Sequence, residues 1–230
     1  MKFGIVSFPG SNGDFDAYQS VVEALGEEAV MLWHKDHDLQ GSDVMILPGG
    51  FSYGDYLRAG AIARFGPIMR EVVQHADRGG IVIGICNGFQ IACEAGLLPG
   101  ALLRNQSLKF VCAPIGLRVE TSNTIFTSQY EKGQRILLPI AHGDGRYSAD
   151  DETLDRLEGE GQVVFRYAPD ALEATEAYNP NGSMRDIAGI VNGAGNVLGL
   201  MPHPERAVDP LLGSTDGLPL FESILQRVAV

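Results

Sequence analysis

Short runs of apolar residues alternate along the first part of the chain with segments whose apolar residues recur every three or four positions. The continuous runs predict buried strands at residues 3–8, 29–33, 44–47 and 81–85. The periodic segments predict helices from about residue 17 to 26, from about 62 to 76 and from 89 to 95. Strands that alternate with helices pair into mostly parallel sheets covered on both faces, so we expect an α/β fold of three layers.

The second half of the chain has a less regular pattern. Strands are predicted at residues 117–121, 136–141 and 163–167, between polar loops that contain glycine. The runs 187–191 and 197–201 are joined by Asn-Gly-Ala-Gly-Asn, which is typical of a hairpin. A final helix is predicted from about Leu218. Because no repeat, low-complexity stretch or linker interrupts the pattern, we expect a single domain over residues 1–230.

Composition narrows the possible functions. Of the 230 residues, 45% are hydrophobic and 20% are charged, which is enough apolar material for a substantial core. The 17 basic and 29 acidic residues give a formal charge of −12. That acidity opposes binding to a phosphate backbone, so nucleic acid is not an expected partner.

The cysteine count and the hydropathy pattern bear on where the protein works. Three cysteines at no metal-ligand spacing indicate reduced thiols rather than a disulfide framework. The segment Met1–Gly10 is broken by Pro9 too early for a signal peptide, and no apolar run approaches the ~18 residues of a membrane span. We therefore expect a cytoplasmic protein.

A candidate nucleophile stands between a predicted strand and a predicted helix. Residues 84–88, Gly-Ile-Cys-Asn-Gly, have the spacing of a nucleophile elbow with cysteine in place of serine. A sharp strand-to-helix turn strains the central residue and crowds the positions two before and two after it, which favours glycine there. The alternative is that Cys86 is a buried small hydrophobe, an interpretation that fits Cys93 and Cys112 well.

A candidate base follows the last predicted strand, in the segment Met-Pro-His-Pro-Glu at 201–205. The prolines stiffen this segment in an extended conformation, where residues two apart point to the same side. Glu205 can therefore orient His203 while the imidazole exchanges protons with a thiol. His142 and Asp144 have the same spacing and are a rival pair, but Gly143 makes their segment less rigid, and we favour His203.

A candidate oxyanion site follows the strand at 44–47. Consecutive glycines, Gly49 and Gly50, allow a backbone N–H to turn toward a ligand. Together with the N–H of Asn87, just after the candidate nucleophile, such a donor would form an oxyanion hole. The alternative is an ordinary Gly-Gly turn at the end of a strand.

Two further motifs predict no bound group. The glycine-containing loop at 9–14 fits neither the dinucleotide-binding nor the phosphate-binding loop pattern. His34 and His37 flank Lys35 in a polar stretch, which indicates a solvated turn rather than a metal site. We therefore expect this chain to hold no metal and no cofactor.

Three motifs together resemble the triad-type, class I glutamine amidotransferases: Pro-Gly-Gly at 48–50, Gly-x-Cys-x-Gly-x-Gln at 84–90, and His-Pro-Glu at 203–205. Segments 49–58, 141–145 and 201–207 are similar, more narrowly, to glutaminase subunits of purine biosynthesis. The resemblance spans nearly the whole chain. Two positions depart from it, Gly13 where cysteine is expected and Asp144 where glutamate is expected, and neither belongs to the candidate triad.

The resemblance implies a flavodoxin-like class I amidotransferase fold and a set of roles. Cys86 would be the nucleophile, His203 the general acid–base and Glu205 the carboxylate that orients it. Gly50 and Asn87 would supply the oxyanion N–H groups, and Gln90 would line the glutamine pocket.

The resemblance also implies partners. A large synthetase subunit would bind ATP, magnesium and formylglycinamide ribonucleotide, and a small bridging subunit would complete the complex. Ammonia released from glutamine would pass to the synthetase by a sheltered route, and the product would be formylglycinamidine ribonucleotide.

Two other functions are compatible with the same residues. A stand-alone cysteine hydrolase of γ-glutamyl substrates would share the triad but would need an open cleft and no synthetase. A binding or regulatory subunit would keep the fold without a reactive thiol. Stimulation of glutamine hydrolysis by a synthetase distinguishes the first alternative, and the reactivity of the thiol distinguishes the second.

Overall fold

A nine-stranded sheet forms the centre of the computed structural model, which describes residues 1–169 and 178–228. In chain order the strands are β1 (Lys2–Ser7), β2 (Glu28–Trp33), β3 (Val44–Leu47), β4 (Ile81–Ile85), β5 (Ala101–Leu103), β6 (Val111–Val119), β7 (Arg135–His142), β8 (Arg146–Ser148), β9 (Val163–Tyr167), β10 (Ile187–Val191) and β11 (Val197–Leu200). Across the large sheet the order is β2-β1-β3-β4-β11-β10-β9-β6-β7, and β5 pairs with β8 in a separate two-stranded sheet.

Strand direction divides the large sheet into two halves. From β2 to β11 every neighbouring pair is parallel, whereas from β11 to β7 every pair is antiparallel. Strands β6 and β10 therefore run against the other seven. The parallel strands β3, β4 and β11 are buried along their whole length, as expected for strands covered on both faces. The expected mostly parallel, three-layer sheet is confirmed.

Within the described part of the chain, five α-helices accompany the sheet: α1 (Asp14–Gln19, continued by a π-helical turn at Ser20–Ala24), α2 (Pro67–Asp77), α3 (Asn87–Glu94), α4 (Asp151–Gly159) and α5 (Leu218–Val228). The connections β1–α1–β2 and β3–α2–β4 move in opposite directions along the sheet. Because parallel crossovers are right-handed, α1 and α2 lie on opposite faces. Helix α3 packs across β3, β4 and β11, directly over the sheet centre.

Most of the predicted elements are present. The strands β1 to β4 and β9, the hairpin of β10 and β11, and the final helix lie where the hydrophobic pattern places them. Strand β6 begins at Val111, six residues before its predicted start. The prediction starts too late because Pro114 breaks the apolar run in the sequence. Only residues 117–119 of β6 pair with β9, so the proline lies where one side of the strand carries no ladder. Helix α4 and the short strands β5 and β8 were not predicted.

No helix among residues 1–169 and 178–228 is long and apolar enough to cross a membrane.

Candidate active site

Cys86 lies at the turn between β4 and α3 in a strained backbone conformation. Its φ of 51° and ψ of −104° are values that residues with a side chain rarely adopt. The thiol is buried, and its Sγ lies 3.7 Å from the carbonyl oxygen of Ala141. The backbone N–H of Cys86 donates to the carbonyl of Leu200 at 2.8 Å. The strained elbow that the sequence predicts is therefore confirmed.

The two glycines that flank the elbow are required by close backbone contacts. A β-carbon on Gly84 would lie 2.6 Å from the carbonyl oxygen of Gly88, and one on Gly88 would lie 1.8 Å from the carbonyl oxygen of Leu47. No side chain fits at either position without moving backbone atoms. This contact sets how closely α3 approaches the ends of β3 and β4.

His203 reaches Cys86 through the pairing of β11 with β4. The two strands are parallel, with Leu200 opposite Ile85, so the residues that follow them emerge at the same edge of the sheet. The N–H of His203 donates to the carbonyl of Pro139 at 2.8 Å, which fixes its backbone. Gly49 lies against both side chains, since a β-carbon on it would be 2.7 Å from Cε1 of His203 and 3.6 Å from Cβ of Cys86.

Glu205 pairs with the imidazole on the side away from the thiol. Its Oε1 lies 2.6 Å from Nδ1 of His203, and both side chains are buried. Burial is the largest single influence on the pKa of His203 and lowers it. The negative charges of Glu205 and Cys86 together outweigh burial, so the pKa of His203 is well above its ordinary value. Nε2 has no hydrogen-bond partner among the described residues, and the charge of the nearby Cys86 contributes to the raised pKa of His203.

The rival base His142 is buried beside the same site, but both of its ring nitrogens are engaged elsewhere. Nδ1 lies 3.1 Å from Oδ1 of Asn105, and Nε2 lies 3.4 Å from Nδ2 of Asn181. Because Asn181 donates through its amide, Nε2 accepts and Nδ1 carries the proton. Burial and the positive charge of His203 lower the pKa of His142 to about 4, so it stays neutral. This geometry favours His203 over His142 as the base.

The Gly49–Gly50 turn is held by the loop at residues 9–14. The carbonyl of Gly49 accepts from the N–H of Gly13 at 3.1 Å, and Phe51 N–H donates to Gly10 at 3.0 Å. In a trans peptide the C=O and the N–H point in opposite directions. The Gly50 N–H therefore points away from this loop, and Gly50 lines the cavity in front of Cys86.

Asn87 is the first residue of α3, so its N–H has no acceptor four residues earlier. The carbonyl of Cys86 accepts from Phe89 and Gln90, which directs the Asn87 N–H out of the helix N-terminus. The side-chain amide of Asn87 donates to Oε1 of Gln90 at 2.8 Å, and its Oδ1 accepts from the N–H of Ser52 at 3.1 Å. Of the two expected oxyanion donors, Gly50 thus lines the cavity and Asn87 directly follows Cys86 at the start of α3.

A cavity of about 230 Å³ opens in front of the thiol. Gln90 lines it, as the resemblance implies, and its Nε2 donates to the carbonyl of Asp144 at 2.6 Å. Two partly exposed aromatic rings, those of Phe51 and Phe110, lie at its edge with centroids 6.3 Å apart. His203 is not among the residues that line the cavity, and its side chain is shielded from solvent.

Several functional contacts have no counterpart in the sequence analysis. Asp55 and Arg104 also line the cavity, and Asn105 and Asn181 hold His142. No local spacing identifies them, because they come from separate loops. The expectation of a solvated turn at His34 is wrong: that imidazole is buried, and its Nδ1 lies 2.6 Å from the hydroxyl of Tyr53.

The site combines a strained cysteine at a strand–helix turn with a buried histidine–carboxylate pair, on a mostly parallel sheet. This fold and this site correspond to those of the triad-type, class I glutamine amidotransferases.

Comparison with known proteins identifies the family. The CobB/CobQ-like glutamine amidotransferase domain matches residues 1–216. Phosphoribosylformylglycinamidine synthase subunit PurQ of Thermus thermophilus is 59% identical, over 100% of both chains. The subunit of the same name from Nostoc sp. PCC 7120 is 57% identical, over 99% of this chain and 98% of its own. The chain belongs to the PurQ family of glutamine amidotransferases.

A solved structure agrees with this assignment. A chain of PurLQS from Thermotoga maritima superposes with a TM-score of 0.87 at 47% identity, covering 99% of this chain and 98% of the other. The full-length match includes the segments that carry Cys86 and His203.

Proposed function

We propose that this chain is the glutaminase subunit of a phosphoribosylformylglycinamidine synthase. It hydrolyses glutamine to glutamate and ammonia and delivers the ammonia to a synthetase subunit, which converts formylglycinamide ribonucleotide to formylglycinamidine ribonucleotide. The observation that carries this conclusion is the full-length identity of 59% to a named PurQ subunit. The stand-alone hydrolase is not favoured, because relatives of that name match over both whole chains and the solved neighbour is named PurLQS.

The first chemical step follows from the charge distribution at the site. We propose that the thiolate of Cys86 attacks the side-chain carbonyl carbon of glutamine, while the N–H groups of Gly50 and Asn87 bind the oxygen as it becomes negative. The imidazolium of His203 then gives its Nε2 proton to the departing nitrogen. Ammonia leaves, and a thioester between Cys86 and the glutamyl group remains.

The second step reverses the direction of proton transfer. Neutral His203 takes a proton from a water molecule, and the resulting hydroxide attacks the thioester carbon. Collapse of the intermediate releases glutamate and restores the Cys86 thiolate beside the imidazolium. Glu205 holds Nδ1 throughout, so Nε2 always faces the reacting atoms.

Other parts of the proposal concern the surroundings of this chemistry. The large synthetase subunit and the small bridging subunit are the partners, and ATP and magnesium belong to the synthetase rather than to this chain. We also propose that residues 1–230 are one amidotransferase domain and that the protein works in the cytoplasm.

The experiment compares glutamine with ammonia as nitrogen donor in the complex assembled with both partner subunits. Cys86→Ala should abolish glutamine-dependent product formation and leave ammonia-dependent formation intact, because only the glutaminase step needs the thiol. His203→Ala should reduce glutamine turnover by ~10²–10⁴-fold, and His142→Ala should be milder. The matched control is Cys112→Ala: the expectation that Cys112 is a buried hydrophobe is wrong, since its thiol lies exposed on β6.

Two results would overturn the proposal. If the isolated chain released glutamate from glutamine as fast as the complex loaded with ATP and acceptor, the chain would be a stand-alone hydrolase. If His142→Ala were inactive and His203→Ala active, the assignment of the base would be reversed.

A further inference from the structure

The far wall of the active-site cavity carries charged side chains that the proposed chemistry does not use. Asp55, Asp144 and Arg104 line the same cavity as Cys86 and Gln90. Asp55 and Asp144 are half-buried, whereas the guanidinium of Arg104 is largely exposed at the mouth. The two carboxylates share this cavity with Cys86, and their negative charges repel each other.

The two acids are anchored to the helix that follows the nucleophile. Nδ2 of Asn87 has two hydrogens, one directed to Oε1 of Gln90 at 2.8 Å and the other to Oδ1 of Asp55 at 3.4 Å. Gln90 in turn donates to the backbone carbonyl of Asp144 at 2.6 Å. This chain of contacts fixes both acids relative to Cys86 and leaves the carboxylate of Asp144 and one oxygen of Asp55 without a partner in it.

The charged side chains that line this part of the cavity do not balance, because two carboxylates face one guanidinium. Nε of Arg104 lies 4.0 Å from Oδ1 of Asp144, which leaves Asp55 without a cationic partner among the described residues. Burial, and next the charge of Asp144, raise the pKa of Asp55 to about 6. A bound group with one positive charge would therefore relieve the repulsion between the two acids.

Glutamine carries such a group. Its α-carbon is three carbon–carbon bonds from the carbonyl carbon that Cys86 attacks, and it carries an ammonium and a carboxylate. An ammonium between the two acids and a carboxylate toward Arg104 would place each charge of the bound glutamine against an opposite charge of the protein. A γ-glutamyl group whose amino nitrogen is acylated, or one that lacks the nitrogen, would leave Asp55 unpaired.

We propose that Asp55, with Asp144, binds the α-ammonium group of glutamine and makes the site specific for the free amino acid, with Arg104 attracting the α-carboxylate. This inference rests on the proposed glutaminase function and names the residue that selects its substrate.

The test compares glutamine with glutaramate, which is glutamine without the α-amino group, in the assembled complex. A hydrogen bond to a charged group corresponds to a preference of roughly 10- to 100-fold in kcat/KM, so the wild type should prefer glutamine by that factor. Asp55→Asn should lower kcat/KM for glutamine by the same factor, mainly through KM, and leave the value for glutaramate unchanged. The matched control is Asp77→Asn, an exposed acid at the end of α2 that precedes β4, on the side opposite Cys86.

A second readout is the pH dependence of KM. Asp55 must be ionised to bind an ammonium, so KM for glutamine should rise as the pH falls through 6, and KM for glutaramate should not. Asp144, Arg104 and His142 face the same cavity; His142 stays neutral in this range, and Arg104 stays charged. Asp55→Asn should remove the rise.

Three outcomes separate the hypotheses. If Asp55→Asn lowered turnover of both substrates equally, Asp55 would act only by positioning Asn87, and the inference would be wrong. If the wild-type complex hydrolysed neither substrate, the proposed function itself would fail. Should Asp55→Asn not assemble, Asp144→Asn applies the same comparison, since it keeps the backbone carbonyl that Gln90 contacts; an unchanged preference there would also refute the inference.

Discussion

At the scale of single residues, the protonation state of His203 depends on its charged neighbours, of which Glu205 has the largest effect. Burial favours the neutral imidazole, and the charges of Glu205 and Cys86 reverse that preference. The leaving nitrogen needs a proton from Nε2, and a histidine that is already protonated in the resting enzyme carries that proton before the thiolate attacks. Glu205 is therefore expected to act through His203, as a positioning residue with an electrostatic effect.

Glu205→Gln is the substitution that isolates this effect. Glutamine keeps the shape and can still accept from Nδ1, but without the negative charge the pKa of His203 should fall. We expect a loss of ~10²–10⁴-fold in kcat for glutamine hydrolysis. A titration of the His203 ring by NMR should show the lower pKa, with Glu222→Gln, on the exposed side of α5, as the control.

The same substitution predicts a pH-dependent stability difference. A pKa raised above the unfolded value of 6.5 gives stabilisation that is fully present below that value and lost as the pH rises through the folded value. The excess stability of wild type over Glu205→Gln should thus be largest near pH 6 and shrink in alkaline solution. A difference that grew with pH in urea unfolding would contradict this account.

Residues in rigid local patterns could be found from the sequence alone. The glycines beside Cys86 and the prolines beside His203 each constrain a few consecutive residues, so their geometry follows from local sterics. The partners of Asp55 could not be found that way, because they depend on which loops fold over the thiol. His142 and His203 likewise have the same His-x-carboxylate pattern, and the structure separates them through their contacts: His203 pairs with Glu205, whereas His142 contacts Asn105 and Asn181.

At the scale of elements, the approach of α3 to the sheet depends on the absence of side chains. Gly88→Ala would drive a β-carbon to within 1.8 Å of the carbonyl oxygen of Leu47. Relief requires a shift of α3 away from β3, and the Asn87 N–H would move with the helix. We expect a loss of about 3 kcal/mol in the free energy of unfolding, measured with denaturant, together with reduced glutaminase activity.

Gly159→Ala is the matched control for that prediction. Gly159 is the last residue of α4, and a β-carbon there would meet no atom within 4 Å. Alanine should be neutral or stabilise by up to about 1 kcal/mol. Equal effects at the two positions would show that backbone entropy, rather than the contact with Leu47, explains why glycine is present.

The elements that the sequence analysis missed lack a continuous apolar run. Helix α4 has only two buried side chains, Leu154 and Leu157, although its start carries a signal: Asp150 caps the helix by accepting from the N–H of Thr153 at 2.7 Å. The strands β5 and β8 have three residues each, too few to show a period. Short pairings of this kind are determined by the packing around them.

At the scale of the whole molecule, strand order brings the site together. The hairpin of β10 and β11 follows Cys86 by about half the chain, yet β11 enters the sheet directly beside β4. The hydrophobic pattern predicts the hairpin but not its neighbour, because every buried parallel strand is apolar on both faces. The position of His203 beside Cys86 is therefore predicted by the family resemblance and not by the periodicity of the sequence.

The final helix extends this arrangement beyond the family match, which ends at residue 216. Helix α5 buries Leu220, Phe221 and Ile224 in the common core. The residue before it contacts the segment that bears His203 and Glu205, since a β-carbon on Gly217 would lie 2.1 Å from the carbonyl oxygen of Pro204. We infer that the packing of α5 helps to hold the His203–Glu205 segment in place.

Phe221→Ala tests whether this helix is integral to the fold. A buried phenylalanine truncated to alanine leaves a cavity, and we expect a loss of about 3–5 kcal/mol in the free energy of unfolding, while kcat of the fraction that remains folded changes little. Glu222→Ala, one position along and exposed, should stay within about 0.5 kcal/mol of wild type. Because the core is shared, unfolding followed by fluorescence and by glutaminase activity should coincide in both variants. Activity lost at lower denaturant than the core signal in Phe221→Ala would instead show that α5 holds only the catalytic segment and is not part of the cooperative unit.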